Sequence, residues 1–318
     1  MPSVMTVLGP VNPLEIGITA SHEHLFADST SNRSDTDTRL DDLDTAIEEL
    51  LAFKAAGGDT IVEVTTIDMG RDVSRLVELS TATGVKIIAA TGYYKGTYSP
   101  DGGEPQHIWE FLPETLQKAS ITQLAEVLID EVHQGVAGTK VKPGIIGEIG
   151  TSHNHILQDE EKVFRAAARA NRETGVPVST HTSLGTMGRE QVQILKEEGA
   201  DLRHVVLSHM DLIPDTRYHI ELAEQGVFLG FDTAGKEKYQ LDATRVALIR
   251  RLVEGGFEDH IVLSCDIGRR SLLRKHGGRG YVYLLSTFVP LLEEAGISQE
   301  AIRKFLVENP RRLLAFGS

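Results

Sequence analysis

Short apolar segments rich in β-branched residues alternate along the chain with amphipathic segments of helical periodicity. In residues 42–56, apolar side chains recur every three or four positions, which predicts one buried helix face. Gly57 and Gly58 then end the predicted helix, since glycine readily takes the left-handed conformation that stops one. Residues 60–66 (TIVEVTT) follow as a predicted strand.

The same order recurs from one end of the chain to the other, and it predicts eight strands. They cover residues 17–25, 60–66, 86–94, 144–152, 177–183, 205–211, 227–233 and 261–267. Helical patterns separate most of them, for example in residues 160–174. Continuously apolar strands alternating with helices indicate a parallel sheet covered on both faces, and eight such units match a (β/α)8 TIM barrel in a single domain, residues 1–318. An open doubly wound sheet is disfavoured because no Gly-x-Gly-x-x-Gly turn follows the first strand.

Charge and cysteine content narrow the class of protein. The 46 acidic and 32 basic side chains give a net charge of −14, which argues against nucleic acid or an anionic membrane as a partner but leaves a small anionic substrate open. The single cysteine, Cys265, excludes an intrachain disulfide and favours a reducing compartment. Residues 1–13 lack the pattern of a signal peptide, and no apolar run approaches the roughly 20 residues of a membrane span. We expect a cytoplasmic protein; a homodimer is possible, since two-fold dimers are the commonest soluble oligomers.

Histidine and carboxylate residues stand at the ends of five predicted strands. Because the carboxyl ends of the strands of a barrel meet at one mouth, we expect these side chains to converge. Nitrogen and oxygen donors of these types bind divalent metals such as zinc, with manganese or cobalt as alternatives. In His22-Glu23-His24, alternate residues point to the same side of a strand, so both imidazoles can reach one ion while Glu23 faces away. A lone His-x-His is weak evidence, but six donors on one barrel predict a metal site: His22, His24, Glu148, His181, His209 and Asp266.

Several motifs together give the chain a likeness to a known family. They are TVLGP at residues 6–10, SHEHL at 21–25, GIIGEIGTS at 144–152, STHTS at 179–183, LSHMD at 207–211, LSCDIG at 263–268 and ENP at 308–310. With them the chain resembles the phosphotriesterase-like branch of the amidohydrolase superfamily nearly end to end.

The resemblance implies a centre of two divalent metal ions. One ion would be held by His22, His24 and Asp266, the other by His181 and His209, with Glu148 bridging them. In many members the bridge is a carboxylated lysine; here, as in other members that this chain resembles, a glutamate stands in its place. Glutamate needs no modification, so we expect no carboxylated lysine and no dependence on bicarbonate. Lys142 lies outside the strand, before Pro143, and is excluded as the bridge.

A hydroxide shared by two such ions would attack a carbonyl or phosphoryl centre. Asp266 is the candidate to take its proton and deliver it to the leaving group, which makes the predicted reaction a hydrolysis. A metal-stabilised binding protein without catalysis is the non-enzymatic alternative.

Basic residues in the loops after strands 7 and 8 suggest the substrate. Lys236 or Lys238, and Arg269 or Arg270, would grip a phosphate or carboxylate at the barrel mouth, with Tyr93 and Tyr94 lining the pocket. The runs GKEKY and DIGRR are similar to those of family members that open phosphorylated sugar lactones. A broader carboxylesterase, lactonase or phosphotriesterase is the alternative.

Other polar residues have simpler interpretations. Glu63, within strand 2, is expected to make a supporting hydrogen bond near the site. Cys265 is expected to be a small core residue, and His153 and His155, beyond strand 4, to face solvent.

Overall fold

Eight parallel strands form the centre of the molecule. The computed structural model describes residues 2–29, 35–95, 118–136 and 138–317. Each barrel strand pairs in parallel with the next one along the chain. The strands are β1 (Ile18–Glu23), β2 (Gly58–Glu63), β3 (Lys86–Thr91), β4 (Ile145–Thr151), β5 (Val178–Thr182), β6 (Val205–Ser208), β7 (Phe228–Phe231) and β8 (Ile261–Leu263).

The seam between β8 and β1 nearly closes the barrel. Ser21 Oγ donates to Leu263 O at 2.9 Å, and Ser264 Oγ accepts from His22 N at 3.1 Å. A direct backbone bond also crosses the seam, from Asp266 N to His22 O at 3.3 Å. Hydrogen bonds of the Ser21 and Ser264 side chains therefore connect much of this seam. The eight parallel strands confirm the predicted (β/α)8 barrel.

Helices surround the sheet in the positions that the periodicity predicts. They are α1 (Leu43–Ala55), α2 (Val73–Thr83), α3 (Ile121–Gln134), α4 (Gln158–Thr174), α5 (Gly188–Glu197), α6 (Thr216–Ala223), α7 (Asp242–Glu254), α8 (Val289–Glu294), α9 (Gln299–Arg303) and α10 (Asn309–Leu314). Two π-helical turns, Leu284–Phe288 and Lys304–Glu308, lead into α8 and α10. In the described part of the chain, no helix has the length and apolarity needed to cross a membrane.

The end of α1 differs slightly from the prediction. The helix ends at Ala55, and only Gly57 has the left-handed conformation, with φ +99°. Gly58 is already the first residue of β2, where a Cβ atom would overlap the ring of Phe53. Close packing of the strand on α1, rather than helix termination, accounts for this glycine.

Alternate residues of each strand face opposite sides of the barrel wall. Ile61 on β2 packs outward in the large core between sheet and helices, whereas Val62 joins a separate inner cluster with Ile88 on β3. Leu313 and Leu314 of α10 complete that inner cluster, so the last helix covers the end of the barrel opposite the strand ends that carry the predicted donors.

Candidate metal centre

The six predicted donors converge at the carboxyl ends of the strands. Three groups of three residues each place one donor atom per residue within 4.8 Å of the others. The groups are His22–His24–Glu148, His22–His209–Asp266 and Glu148–His181–His209.

Glu148 lies between the two sides of the cluster. Its Oε1 is 3.3 Å from Nε2 of His24, while its Oε2 is 2.9 Å from Nδ1 of His181 and 3.4 Å from Nε2 of His209. Oε2 also lies 3.5 Å from Nε2 of His22, so the one carboxylate contacts all four histidines of the cluster.

Three histidines are anchored through Nδ1 and turn Nε2 to the centre. Nδ1 of His22 lies 3.0 Å from Ser208 Oγ, that of His24 2.9 Å from Thr65 Oγ1, and that of His209 2.8 Å from Asp232 Oδ1. Within the described residues, the buried Nε2 of His22 makes no hydrogen bond. An imidazole fixed at one nitrogen with the other turned inward is the usual arrangement of a metal ligand, so the donor set fits divalent metals.

Burial and mutual charge shift the pKa values of the cluster. Burial would raise the pKa of Glu148, but His181 and His22 outweigh it and hold that pKa well below its usual range. Burial lowers the pKa of His181 to about 3. Glu148 is therefore an anionic carboxylate and His181 a neutral imidazole. Burial opposes the charged form of His24 and His209, but Asp266 and Glu148 raise the pKa of His24 to about 10 and Asp232 raises that of His209, so these two imidazoles must lose a proton when a metal binds.

The site lies on the wall of a large cavity. The cavity measures about 710 Å³ and is lined by His24, Glu148, His181, His209 and Asp266 together with residues of the surrounding loops. That volume is in the range of small-molecule sites. The cluster is thus accessible to a substrate of moderate size.

Comparison with known proteins identifies the chain. The model of the phosphotriesterase family matches residues 2–314. The chain belongs to the phosphotriesterase family. The phosphotriesterase homology protein of Escherichia coli K12 is 39% identical to it over 294 residues, which cover 92% of this chain and 96% of that protein. The N-acetyltaurine hydrolase of Xenopus tropicalis is 35% identical over 356 aligned residues, covering 98% of each.

A solved structure of the phosphotriesterase family is equally similar. A lactonase from Listeria monocytogenes superposes with a TM-score of 0.90 at 34% identity, covering 99% of this chain and 100% of that one. Members of the family are metal-dependent hydrolases, and the cluster of donors in this chain is able to bind metal. The predicted family and hydrolase class are therefore confirmed.

Lys236 and Lys238, predicted to bind an anion, both line the cavity, as do Arg269 and Tyr94. The ammonium group of Lys236 forms an ion pair with Oδ2 of Asp266. The Tyr94 hydroxyl lies 3.2 Å from Nδ1 of His181. The loop after β7 thus places a positive charge at the edge of the group of six candidate metal ligands.

The other predicted substrate residues are placed differently. Arg269 pairs with Asp35 at 2.6 Å and with Asp37 at 3.5 Å, so two carboxylates already balance its charge. Arg270 lines a separate small depression beside α1. Tyr93 is only 2% exposed and packs in the core between sheet and helices. Both tyrosines follow β3, which ends at Thr91, and only Tyr94 lines the cavity.

Asp232, after β7, is a site residue that the sequence analysis missed. Its Oδ1 accepts from the backbone N–H of His209 at 2.9 Å as well as pairing with the ring, and its Oδ2 lies 3.5 Å from Nδ1 of His22. One carboxylate therefore orients a histidine from each side of the cluster. The available signal was an aspartate closing an apolar strand (VFLGFDT), as Asp266 does in β8.

Glu23 faces away from the donors, as predicted, but it reaches the end of β8. Its carboxylate accepts from Ser264 Oγ at 2.7 Å, Cys265 N at 2.9 Å and Ile267 N at 2.7 Å. The two backbone amides, of Cys265 and Ile267, flank Asp266, whose own backbone is left-handed, with φ +50°. Burial raises the pKa of Glu23 to about 7. Glu23 thus holds the backbone that presents Asp266.

Glu63 supports the centre through Thr65. The Thr65 hydroxyl donates to Glu63 and lies within hydrogen-bond distance of Nδ1 of His24. Because that hydroxyl gives its proton to Glu63, it accepts from Nδ1 of His24, and Nε2 of the same ring faces Glu148 and Asp266. The expected supporting hydrogen bond therefore exists, through one intermediate residue.

The remaining interpretations agree with the structure. Cys265 is fully buried, and burial raises the pKa of its thiol well above the usual range. His153 is exposed and His155 half-buried, and both rings bond within their own loop or to the backbone of a neighbouring one.

Proposed function

We propose that this member of the phosphotriesterase family is a binuclear metal-dependent lactonase that opens phosphorylated sugar lactones. The observation that carries the proposal is that Lys236 and Lys238 line the same cavity as five of the six metal donors. One cavity can therefore take the carbonyl of a lactone at the cluster and an anion on the basic loops.

The proposed ligands are His22, His24 and Asp266 for one ion, His181 and His209 for the other, and Glu148 between them. Divalent ions held there, zinc being the first choice, lower the pKa of bound water and polarise a carbonyl oxygen. Three histidines keep their Nε2 atoms in place through Ser208, Thr65 and Asp232, so the centre needs little rearrangement to bind metal.

Asp266 is the proposed proton carrier. Its Oδ1 lies 3.5 Å from Nε2 of His24, so it belongs to the metal cluster, while its Oδ2 contacts Lys236 at the cavity wall. Ring opening leaves an alkoxide on the departing end of the lactone. The carboxylate of Asp266 is placed to take a proton from the attacking water and deliver it to that oxygen.

Known relatives support an anionic substrate. The solved structure of the Escherichia coli homology protein contains phosphate in its active site, and the Listeria monocytogenes relative is a lactonase. In this chain, the ammonium group of Lys236 would leave Asp266 and bind the substrate phosphate, since both anions are within reach of its flexible side chain.

A second candidate is an amide with a sulfonate group. The Xenopus tropicalis relative, which aligns with 98% of this chain, is an N-acetyltaurine hydrolase. N-acetyltaurine also combines a carbonyl group with an anion, so the same cavity features would serve it. The leaving group, an amine instead of an alkoxide, distinguishes the two candidates.

The deciding experiment compares three substrates on protein loaded with zinc or manganese. They are ribonolactone 5-phosphate, ribonolactone and N-acetyltaurine, with hydrolysis followed by proton release or amine formation. We expect kcat/KM for the phosphorylated lactone to exceed that for the neutral one by about 100-fold, as a charge-assisted contact predicts. Lys236→Met should remove most of that preference. Equal rates on both lactones contradict the proposal, and a preference for N-acetyltaurine favours the second candidate.

A further inference from the structure

Leu184, on the wall of the cavity, has a backbone conformation that leucine rarely adopts. It lies in the loop after β5, three residues beyond His181, and its backbone is left-handed, with φ +54° and ψ +35°. A leucine in this region is strained because its Cβ crowds the following carbonyl oxygen. Half of the side chain, 48%, is exposed, so core packing does not account for the residue.

The turn around Leu184 would suit another residue better. Ser183 O accepts from Thr186 N at 3.2 Å, and the two central residues, Leu184 and Gly185, both have positive φ. Turns of this kind favour asparagine or glycine at the first central position. Gly185 has a packing reason, since a Cβ there would collide with Ile213, but no such constraint requires a leucine at 184.

The exposed side chain belongs to an apolar arc at the cavity mouth. Leu184 after β5, Leu212 after β6 and Tyr239 after β7 all line the cavity. Tyr239 is likewise well exposed, at 53%. Leu184 and Leu212 follow the strands that carry His181 and His209, and Tyr239 lies in the β7 loop next to Lys238. A substrate at the cluster therefore meets an apolar surface as well as a basic one.

We propose that Leu184 is a specificity-determining residue that packs on the apolar C–H face of the substrate ring. This inference rests on the proposed function, since a lactone ring offers such a face beside its reacting carbonyl. Strain retained at an exposed apolar residue on a cavity wall fits a role in binding, where the contact with substrate compensates for the local cost.

The test separates backbone strain from side-chain contact. Leu184→Gly and Leu184→Asn relieve the strain and remove the isobutyl group, whereas Leu184→Ala removes the group and keeps the strain. Met187→Gly is the matched control, because Met187 is also left-handed, with φ +66°, in the same segment. Each variant is assayed for Tm, bound metal and kcat/KM on the best wild-type substrate among the two lactones and N-acetyltaurine.

We expect Leu184→Gly and Leu184→Asn to raise Tm by roughly 2 °C while kcat/KM falls about tenfold through KM. Leu184→Ala should show the same loss of kcat/KM with no gain in Tm. Met187→Gly should raise Tm and leave kcat/KM unchanged. Bound metal should stay at the wild-type level in all four variants.

Two results would overturn the inference. One is wild-type kcat/KM in Leu184→Ala, which would mean that the side chain does not touch the substrate. The other is a loss of metal in the Leu184 variants, which would mean that the residue only supports His181. Failure of the proposed function shows instead in the wild type, as the lack of preference for the phosphorylated lactone.

Discussion

Carboxylates at the carboxyl ends of the barrel strands have two kinds of role, which depend on the direction of each side chain. Glu148 and Asp266 turn into the metal cluster, whereas Glu23, Glu63 and Asp232 turn to neighbouring strands and hold what those strands present. Residues of the second kind are adjacent in sequence to ligands or strand ends. A change in them should disturb catalysis without removing a ligand.

Glu23→Gln tests this division. All three partners of the carboxylate donate hydrogens to it, so an amide would set its own NH2 group against one of them. The backbone of Asp266 would shift, and we expect kcat to fall roughly 10- to 100-fold while KM and bound metal change little. Steady-state kinetics and metal analysis measure this, with Glu48→Gln, exposed on α1, as the control. Unchanged kcat would mean that Asp266 needs no support from Glu23.

The proposed bridging role of Glu148 leads to a second prediction. Glu148 carries its carboxylate without modification, so protein stripped by a chelator should regain metal and activity equally with and without bicarbonate. Activity after addition of zinc to bicarbonate-free protein is the measurement. Restoration of metal and activity only in the presence of bicarbonate would show that a carboxylated lysine, not Glu148, forms the bridge.

The role of a single residue could be predicted from sequence where its side-chain type allows few functions. One histidine or acid at the end of an apolar strand is weak evidence, but six on one barrel, together with the family motifs, predicted the donors. Glu23 and Asp232 were harder, because their roles depend on which strand lies beside them. Tyr93 and Tyr94 are identical in type, and only the direction of each residue separates the core tyrosine from the cavity tyrosine.

At the scale of elements, the loop after β7 is fixed by a fully buried arginine of α7. Arg245, 0% exposed, donates to Asp211 at 2.5 Å, to Asp242 at 2.8 Å and to Thr233 at 2.7 Å. It also donates to the carbonyl oxygen of Gln240 at 2.5 Å. The guanidinium group thus ties the loops after β6 and β7 to α7, and through them it places Lys236.

Arg245→Met should destabilise the protein strongly. Asp211 and Asp242 would lose their buried counter-charge, and we expect the free energy of unfolding to fall by about 3–5 kcal/mol. Urea denaturation measures the loss. Arg250→Met, on the same helix, is the control, since its pair with Glu254 is exposed and should contribute less than about 1 kcal/mol. A difference between the two variants of less than 1 kcal/mol would argue against the network.

Element types could be predicted from sequence because a two-sided parallel strand is almost continuously apolar and each helix shows one apolar face. The contacts between loops could not. Arg269 meets Asp35 across 234 positions of the chain, and that pairing depends on the closure of the barrel. The basic residues of these loops therefore predicted a positively charged barrel mouth. They did not show which basic side chains already form an ion pair with an acidic one.

At the scale of the whole molecule, Asp59 joins three consecutive strands at the end of the barrel away from the metal cluster. It accepts from Gly17 N, just before β1, at 2.7 Å and from Nζ of Lys86 on β3 at 2.8 Å. Burial opposes the charged form, but the hydrogen bonds from Lys86 and Gly17 prevail and lower the pKa of Asp59 below 3.8. These contacts between the first three strands therefore depend on an ionised Asp59 carboxylate.

Asp59→Asn should make stability less dependent on acid. A depressed folded pKa contributes stability above the unfolded pKa of 3.8, and that contribution is lost as the pH falls below it. At pH 7 we expect the variant to be about 1–2 kcal/mol less stable than the wild type, and the gap to close below pH 4. Denaturant unfolding across this range measures both, with the exposed Asp130→Asn as control. A gap that persists at low pH would assign the loss to packing.

The seam between β1 and β8 gives the metal cluster a further physical meaning. His22 and Ser264, which meet there, are 242 residues apart, and the proposed ligands of one ion, His22, His24 and Asp266, come from the same two strands. An ion bound across the seam would join the first and last strands into a ring, as a disulfide does in a secreted protein. Loop-closure entropy for a ring of this size is on the order of 5 kcal/mol, so the catalytic centre would also serve as a covalent-like cross-link in a chain with a single cysteine.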